Sequence, residues 1–216
     1  AFLLQATLLK RRSENATVVT TPRVAAKMLA DFDKQLAFTL TAGQVEVGNA
    51  LLSDLAQEHP MHRMLQGEVG SGKTLVAVRA MIAVAESGGQ SALLAPTEVL
   101  AAQHVRSIRK TLGDDLADQL GLTLLTGQMG TAQHKRALLQ IVSGKAQIVV
   151  GTHALMSSKV EFFDLGLVVI DEQHRFGVEQ REALRLKGKK PTHVLTMTAT
   201  PIPRTLAVSV FGDLDI

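Results

Sequence analysis

LQGEVGSGKT, residues 65–74, decides the fold. Its last eight residues fit G-x-x-x-x-G-K-[ST], with Gly67, Gly72, Lys73 and Thr74 at the fixed places and Gly70 between them. RMLQ (63–66) precedes and TLVAVRAMIAVAES (74–87) follows, so a strand leads in and a helix leads out. Backbone N–H groups converging on a phosphate need close approach, and glycine removes the Cβ atoms that would block it. The start of the following helix adds a positive dipole end. Lys73 brings an ammonium to the β/γ-phosphates, and the Thr74 hydroxyl can ligate Mg²⁺. A glycine turn before a buried helix is the plainer reading. The complete pattern with both flanks favours nucleoside triphosphate binding, without separating a kinase from a GTPase or a motor.

Working outward, short apolar runs alternate with longer helical segments. SALLA (91–95), LTLLT (122–126), AQIVV (146–150), LGLVVI (165–170) and HVLTMT (193–198) read as strands. TEVLAAQHVRSIRKTL (97–112) and TAQHKRALLQIVSG (131–144) read as helices. Continuous rather than alternating hydrophobicity marks strands buried on both faces. The expectation is an open parallel α/β sheet with helices on both faces, binding ligands beyond the carboxyl ends of its strands. Upstream, residues 1–12 read as a helix and SENATVVTTP (13–22) as a connector. Pro22 can open a second helix reaching about Leu36.

LGLVVI ends abruptly in Asp171-Glu172. The carboxyl end of so apolar a strand should lie beside the glycine loop. Asp171 is then placed to hold Mg²⁺ and Glu172 to act as base or orienter for an attacking water. An acidic pair at a helix N-terminus is the alternative. His174, three residues on, is placed for an interaction near the γ-phosphate; Gln173 carries less weight. A small-molecule kinase would not need this acid pair.

Composition sets the outer bounds. Of 216 residues, 46% are hydrophobic but only 3% aromatic, with neither Trp nor Tyr, so the core is aliphatic and a base-stacking platform is disfavoured. Without cysteine there are no disulfides or thiolate metal sites. A net charge of +3 permits a nucleic-acid partner without pointing to one. No apolar run approaches membrane-spanning length. The first residues, AFLLQATLLKRRSENA, lack an initiator Met and a basic leader, as in a piece of a longer chain.

Together with APTEVLAAQH (95–104), GTHAL (151–155) and TMTATPIPRT (196–205), the two motifs resemble those of superfamily 2 helicases over about residues 36–216. More narrowly, DEQHRFGVEQR (171–181) and TATPIPRTLA (198–207) resemble the RecG family of ATP-dependent DNA helicases, which remodel replication forks and recombination junctions. The helicase part of transcription-repair coupling factors shares HRFG and TATPIPRT, but usually has Glu where this chain has Gln173. The resemblance implies a RecA-like P-loop lobe using ATP and Mg²⁺. It implies Gln44, in FTLTAGQ, as the adenine reader, through an amide that can pair with the N6 and N7 edge. It implies DNA-backbone contacts at Pro96, Thr97, Thr126, Gly127, Gly151 and Thr152, while His153 reads as structural. Thr198 and Thr200 would couple hydrolysis to DNA movement, and Arg204 would meet DNA or the partner lobe. Residues 1–35 would link a wedge domain to a lobe at 36–216, with a second lobe beyond FGDLDI (211–216). The partners implied are branched or forked DNA and those two further domains. The setting implied is the cytoplasm of a bacterium, at the nucleoid. A nucleotide-controlled binding module without catalysis is the reading of another class.

Overall fold

The computed structural model describes residues 18–171 and 183–199. Six strands form one sheet: β1 (His62–Gln66), β2 (Gln90–Leu94), β3 (Thr123–Leu125), β4 (Ile148–Gly151), β5 (Leu165–Asp171) and β6 (His193–Thr198). Every pairing is parallel, in the order β1-β6-β5-β2-β4-β3. The connections carry α1 (Lys27–Gln35), α2 (Ala42–Leu55), α3 (Lys73–Glu86), α4 (Glu98–Leu112), α5 (Asp114–Gln119) and α6 (Thr131–Val142), with a 3₁₀ turn at His153–Met156.

The continuous apolar runs serve two cores at once. In β5, Leu167 and Val169 join the cluster under α1–α5, whereas Val168 and Ile170 join the cluster under α6. In β2, Leu93 faces the first cluster and Ala92 and Leu94 the second. The two-residue period of a strand is present, but both of its faces are apolar because helices cover both. Helix α3 is buried at every position from Leu75 to Ala85, since the sheet, α1, α2 and α4 surround it.

The amino-terminal region differs from expectation in where its helix begins. A helix opening at Pro22 is not formed; α1 begins at Lys27. The backbone before it is held extended: Arg23 N–H donates to Leu55 O at 2.7 Å and Val24 N–H to Ser87 Oγ at 2.9 Å. The helix can start only where its first donors find an acceptor, and the Glu86 carboxylate accepts from Ala26 N–H (2.8 Å) and Met28 N–H (2.6 Å). Residues 20–35 pack onto the lobe. Arg23, 3% exposed, donates through Nη2 to both carboxylate oxygens of Asp164 at 2.9–3.0 Å; Asp33 pairs with Arg79 of α3 at 2.8 Å; Leu29 and Phe32 lie in the main core. The helix expected at 1–12 lies outside the described residues.

Where β1 meets β6, His193 is fully buried and its Nδ1 accepts from Met61 N–H at 3.0 Å. Burial pushes its pKa down to about 4, helped by the nearby Arg23 and His62 and opposed by the Thr21 carbonyl and Asp54. The ring is therefore neutral, with its proton on Nε2. No helix among the described residues is long and apolar enough to cross a membrane.

Candidate nucleotide and nucleic-acid site

The glycine loop joins β1 to α3 as its flanks suggest. Gly70 and Gly72 take φ of +85° and +84°, conformations that carry a strain cost for any side chain with a Cβ. A Cβ at Gly67 would stand 2.7 Å from Ser71 Oγ, so a larger residue there would push the serine hydroxyl aside. The first turn of α3 has no side-chain cap, which leaves its N–H donors to a bound anion. Lys73 Nζ donates to Gly67 O (2.6 Å) and Glu68 O (2.7 Å), curling into the loop with a third N–H to offer a phosphate.

Gln44 stands at this loop. Its Nε2 donates to Ser71 O at 2.9 Å, and its Oε1 accepts from Thr41 N–H at 3.0 Å. Thr41 Oγ accepts in turn from Gln44 N–H, closing a capping box that starts α2. The amide keeps a second hydrogen and a second lone pair, enough to read one purine edge without releasing either bond.

Asp171 ends β5 opposite Met197 of β6, and Thr198 lies opposite Gln66 of β1. Two inter-strand spacings separate the carboxylate from the start of the glycine loop, roughly 10 Å across the sheet. Both sit at the carboxyl edge. Gly67 N–H donates to Thr198 O at 3.3 Å, so the loop is tied directly to the end of β6. The hard oxygen donors of Thr74 and Asp171 fit magnesium, which takes one or two protein oxygens and completes its shell with phosphate and water.

The other half of the same edge gathers the segments expected to meet DNA. Ala95 N–H donates to Gly151 O at 2.8 Å, and Leu125 pairs with Gly151. Glu98 Oε1 accepts from Gln128 N–H at 3.1 Å, joining the Pro96-Thr97 turn to the Thr126-Gly127 turn. Thr97 and Gly127 are exposed and Pro96 half-buried; Thr126, Gly151 and Thr152 are buried. The Thr152 hydroxyl is buried without a hydrogen-bond partner, and Thr97 Oγ caps α4 by accepting from Leu100 N–H at 3.3 Å. Glu172, Gln173, His174, Thr200 and Arg204 lie outside the described residues.

One partner escaped the sequence reading. His104 Nε2 lies 2.7 Å from Asp171 Oδ2. The signal was available: Ala101, His104, Ile108 and Leu112 recur at helical spacing on the sheet-facing stripe of α4, and only the histidine is polar.

Residues 41–208 match the model of the DEAD/DEAH box helicases. The chain belongs to that family. Within the DEAD/DEAH box helicases it is 55% identical over 199 residues to the ATP-dependent DNA helicase RecG of Mycobacterium tuberculosis, covering 87% of this chain and 27% of that protein. It is 46% identical over 217 residues to RecG of Aquifex aeolicus, covering all of this chain and 27% of that protein. A solved structure of RecG bound to a three-way DNA junction superposes with a TM-score of 0.85 at 37% identity, covering all of this chain and 29% of that one. The resemblance drawn from the motifs thus extends along the whole sequence. The chain spans just over a quarter of the length of the curated relatives it matches. The six-stranded parallel sheet is the helicase-family ATP-binding fold, with the glycine loop and Asp171 on one half of its carboxyl edge.

Proposed function

We propose that this chain is the ATP-binding lobe of an ATP-dependent DNA helicase or translocase that remodels branched DNA, forks and junctions, in recombination and repair. The observation that carries this reading is the shared carboxyl edge. The glycine loop, Gln44 and Asp171 stand on the β1-β6-β5 half, and Pro96, Thr97, Gly127 and Gly151 on the β2-β4-β3 half. Nucleotide and strand would therefore be read by one rigid sheet.

The loop N–H groups and Lys73 bind and orient the triphosphate, and Gln44 reads the adenine edge. Thr74 and Asp171 would hold magnesium, which would supply positive charge to the triphosphate. Glu172 orients and deprotonates the attacking water, and His174 contacts the γ-phosphate region. Thr198, bonded to Gly67 through the backbone, and Thr200 relay the state of the loop toward the strand-binding half, with Arg204 facing DNA or the second lobe. A second RecA-like lobe supplies arginines worth on the order of 10³ or more in rate, so the lobe alone hydrolyses poorly. A wedge domain supplies junction preference, and the working place is the bacterial cytoplasm, at the nucleoid.

The test is phosphate release by the full-length protein with and without forked DNA. Forked DNA should stimulate release. Lys73→Ala should weaken ATP binding, and Glu172→Gln should keep binding while stopping turnover. Release that no DNA accelerates would point instead to a nucleotide-controlled binding module.

A further inference from the structure

The strand that ends in Asp171 does not by itself aim the carboxylate. The terminal torsion of an aspartate is broad, so its two oxygens sweep a wide arc unless something holds them. Here an imidazole does. His104 Nε2 lies 2.7 Å from Oδ2, in a setting where the two side chains are only 14% and 19% exposed. An imidazole N–H donated through Nε2 leaves Oδ1, and one lone pair of Oδ2, for a cation.

The ring is placed by its helix. It projects from α4 between Ala101 and Ile108, both fully buried against the sheet. The amino end of the same helix is fixed at the Thr97 cap and by Glu98 on the Gln128 N–H. Thr97 and His104 are two turns apart, about 10 Å along the axis. One helix therefore spans from the turns expected to meet a DNA strand to the carboxylate expected to meet the metal.

We infer that His104 is a positioning residue for the metal site: through it, α4 sets the Asp171 carboxylate for magnesium. The inference rests on the nucleotide-binding reading above. Partners that orient metal ligands typically change metal affinity by 10–100-fold when lost.

The experiment titrates Mg²⁺ into the full-length protein with a fluorescent, non-hydrolysable ATP analogue, so no turnover is needed. Two variants of matched polarity differ only in reach. His104→Gln places an amide nitrogen near the position of Nε2, whereas His104→Asn stops near Nδ1, short of Asp171. The Mg²⁺ half-point should rise about tenfold in His104→Asn and stay within about threefold of wild type in His104→Gln. Nucleotide binding without Mg²⁺ should be equal in all three, which reports an intact glycine loop. His104→Leu, which has no donor at all, should match His104→Asn, whose donor falls short. Equal half-points for the Gln and Asn variants, whether both normal or both impaired, overturn the positioning role alone. A wild-type protein that binds no nucleotide removes the functional reading beneath it as well.

Discussion

Acid should open this fold at the junction of β1 and β6, and His193 sets the size of the effect. Its ring is fully buried, neutral, and committed through Nδ1 to Met61 N–H. In the unfolded chain the same ring takes a proton near its ordinary value of 6.5; in the fold it resists until about 4. Between those values the unfolded state binds the extra proton, so stability falls as pH falls. The contribution is whole above pH 6.5, declines through the window from 6.5 to about 4, and changes no further below it. At ~1.4 kcal/mol for each tenfold change in proton affinity, the loss across that window is about 3 kcal/mol. The assay is urea unfolding of the 216-residue chain at half-unit steps from pH 7.5 to 4, beside His193→Asn. Asparagine offers an acceptor to Met61 N–H but does not titrate. The variant should start less stable, because it packs worse, yet fall less steeply between pH 6.5 and 4. Parallel curves for the two proteins would show that His193 is not what acid attacks.

Three further outcomes follow from packing. Gly72→Ala should weaken nucleotide binding in a fluorescence titration as well as lower the unfolding midpoint: its Cβ would meet Gln44 Nε2 at 2.3 Å and displace that amide from Ser71 O, at φ +84°. Asp33→Asn should cost about 2 kcal/mol in urea unfolding at pH 7, since it strips the carboxylate from an Arg79 that is 7% exposed. Gly151→Ala should cost about 2–3 kcal/mol and reduce stimulation of ATPase by forked DNA, because its Cβ would sit 2.2 Å from the Leu125 carbonyl oxygen and part β3 from β4.

How much of this was legible in the sequence depends on the range of the forces involved. Five strands could be read because burial writes itself as an apolar run such as LVVI, and β1, a half-exposed edge strand, only from its place before the glycine loop. The glycine loop could be read because its constraint is local: a left-handed backbone and a lysine at a fixed offset. Helix α2 was missed. Its start, Thr41 to Gln44, is a capping box, but the same glutamine carried the family signal for adenine, and Gly48 weakened the helical pattern behind it. The placement of α1 was misjudged because its cap is Glu86, contributed from α3 about sixty residues later. The tie between His104 and Asp171 was hidden for the same reason, as 67 positions separate the two. Local chemistry is spelled out along the chain; tertiary capping and orientation are not.

The strand order has one more consequence, for how such a lobe comes into being on the ribosome. Among the described strands β1 hydrogen-bonds to β6 alone, and β6 is the last of them to be synthesised. While the intervening segments emerge, β2, β3, β4 and β5 can already align, but the strand leading into the glycine loop has no neighbour to align with. A nascent chain halted before residue 193 would carry the complete phosphate-binding motif and still lack the frame that holds it. Nucleotide binding should therefore arise late in translation, in a single step, when β6 inserts between its two waiting neighbours.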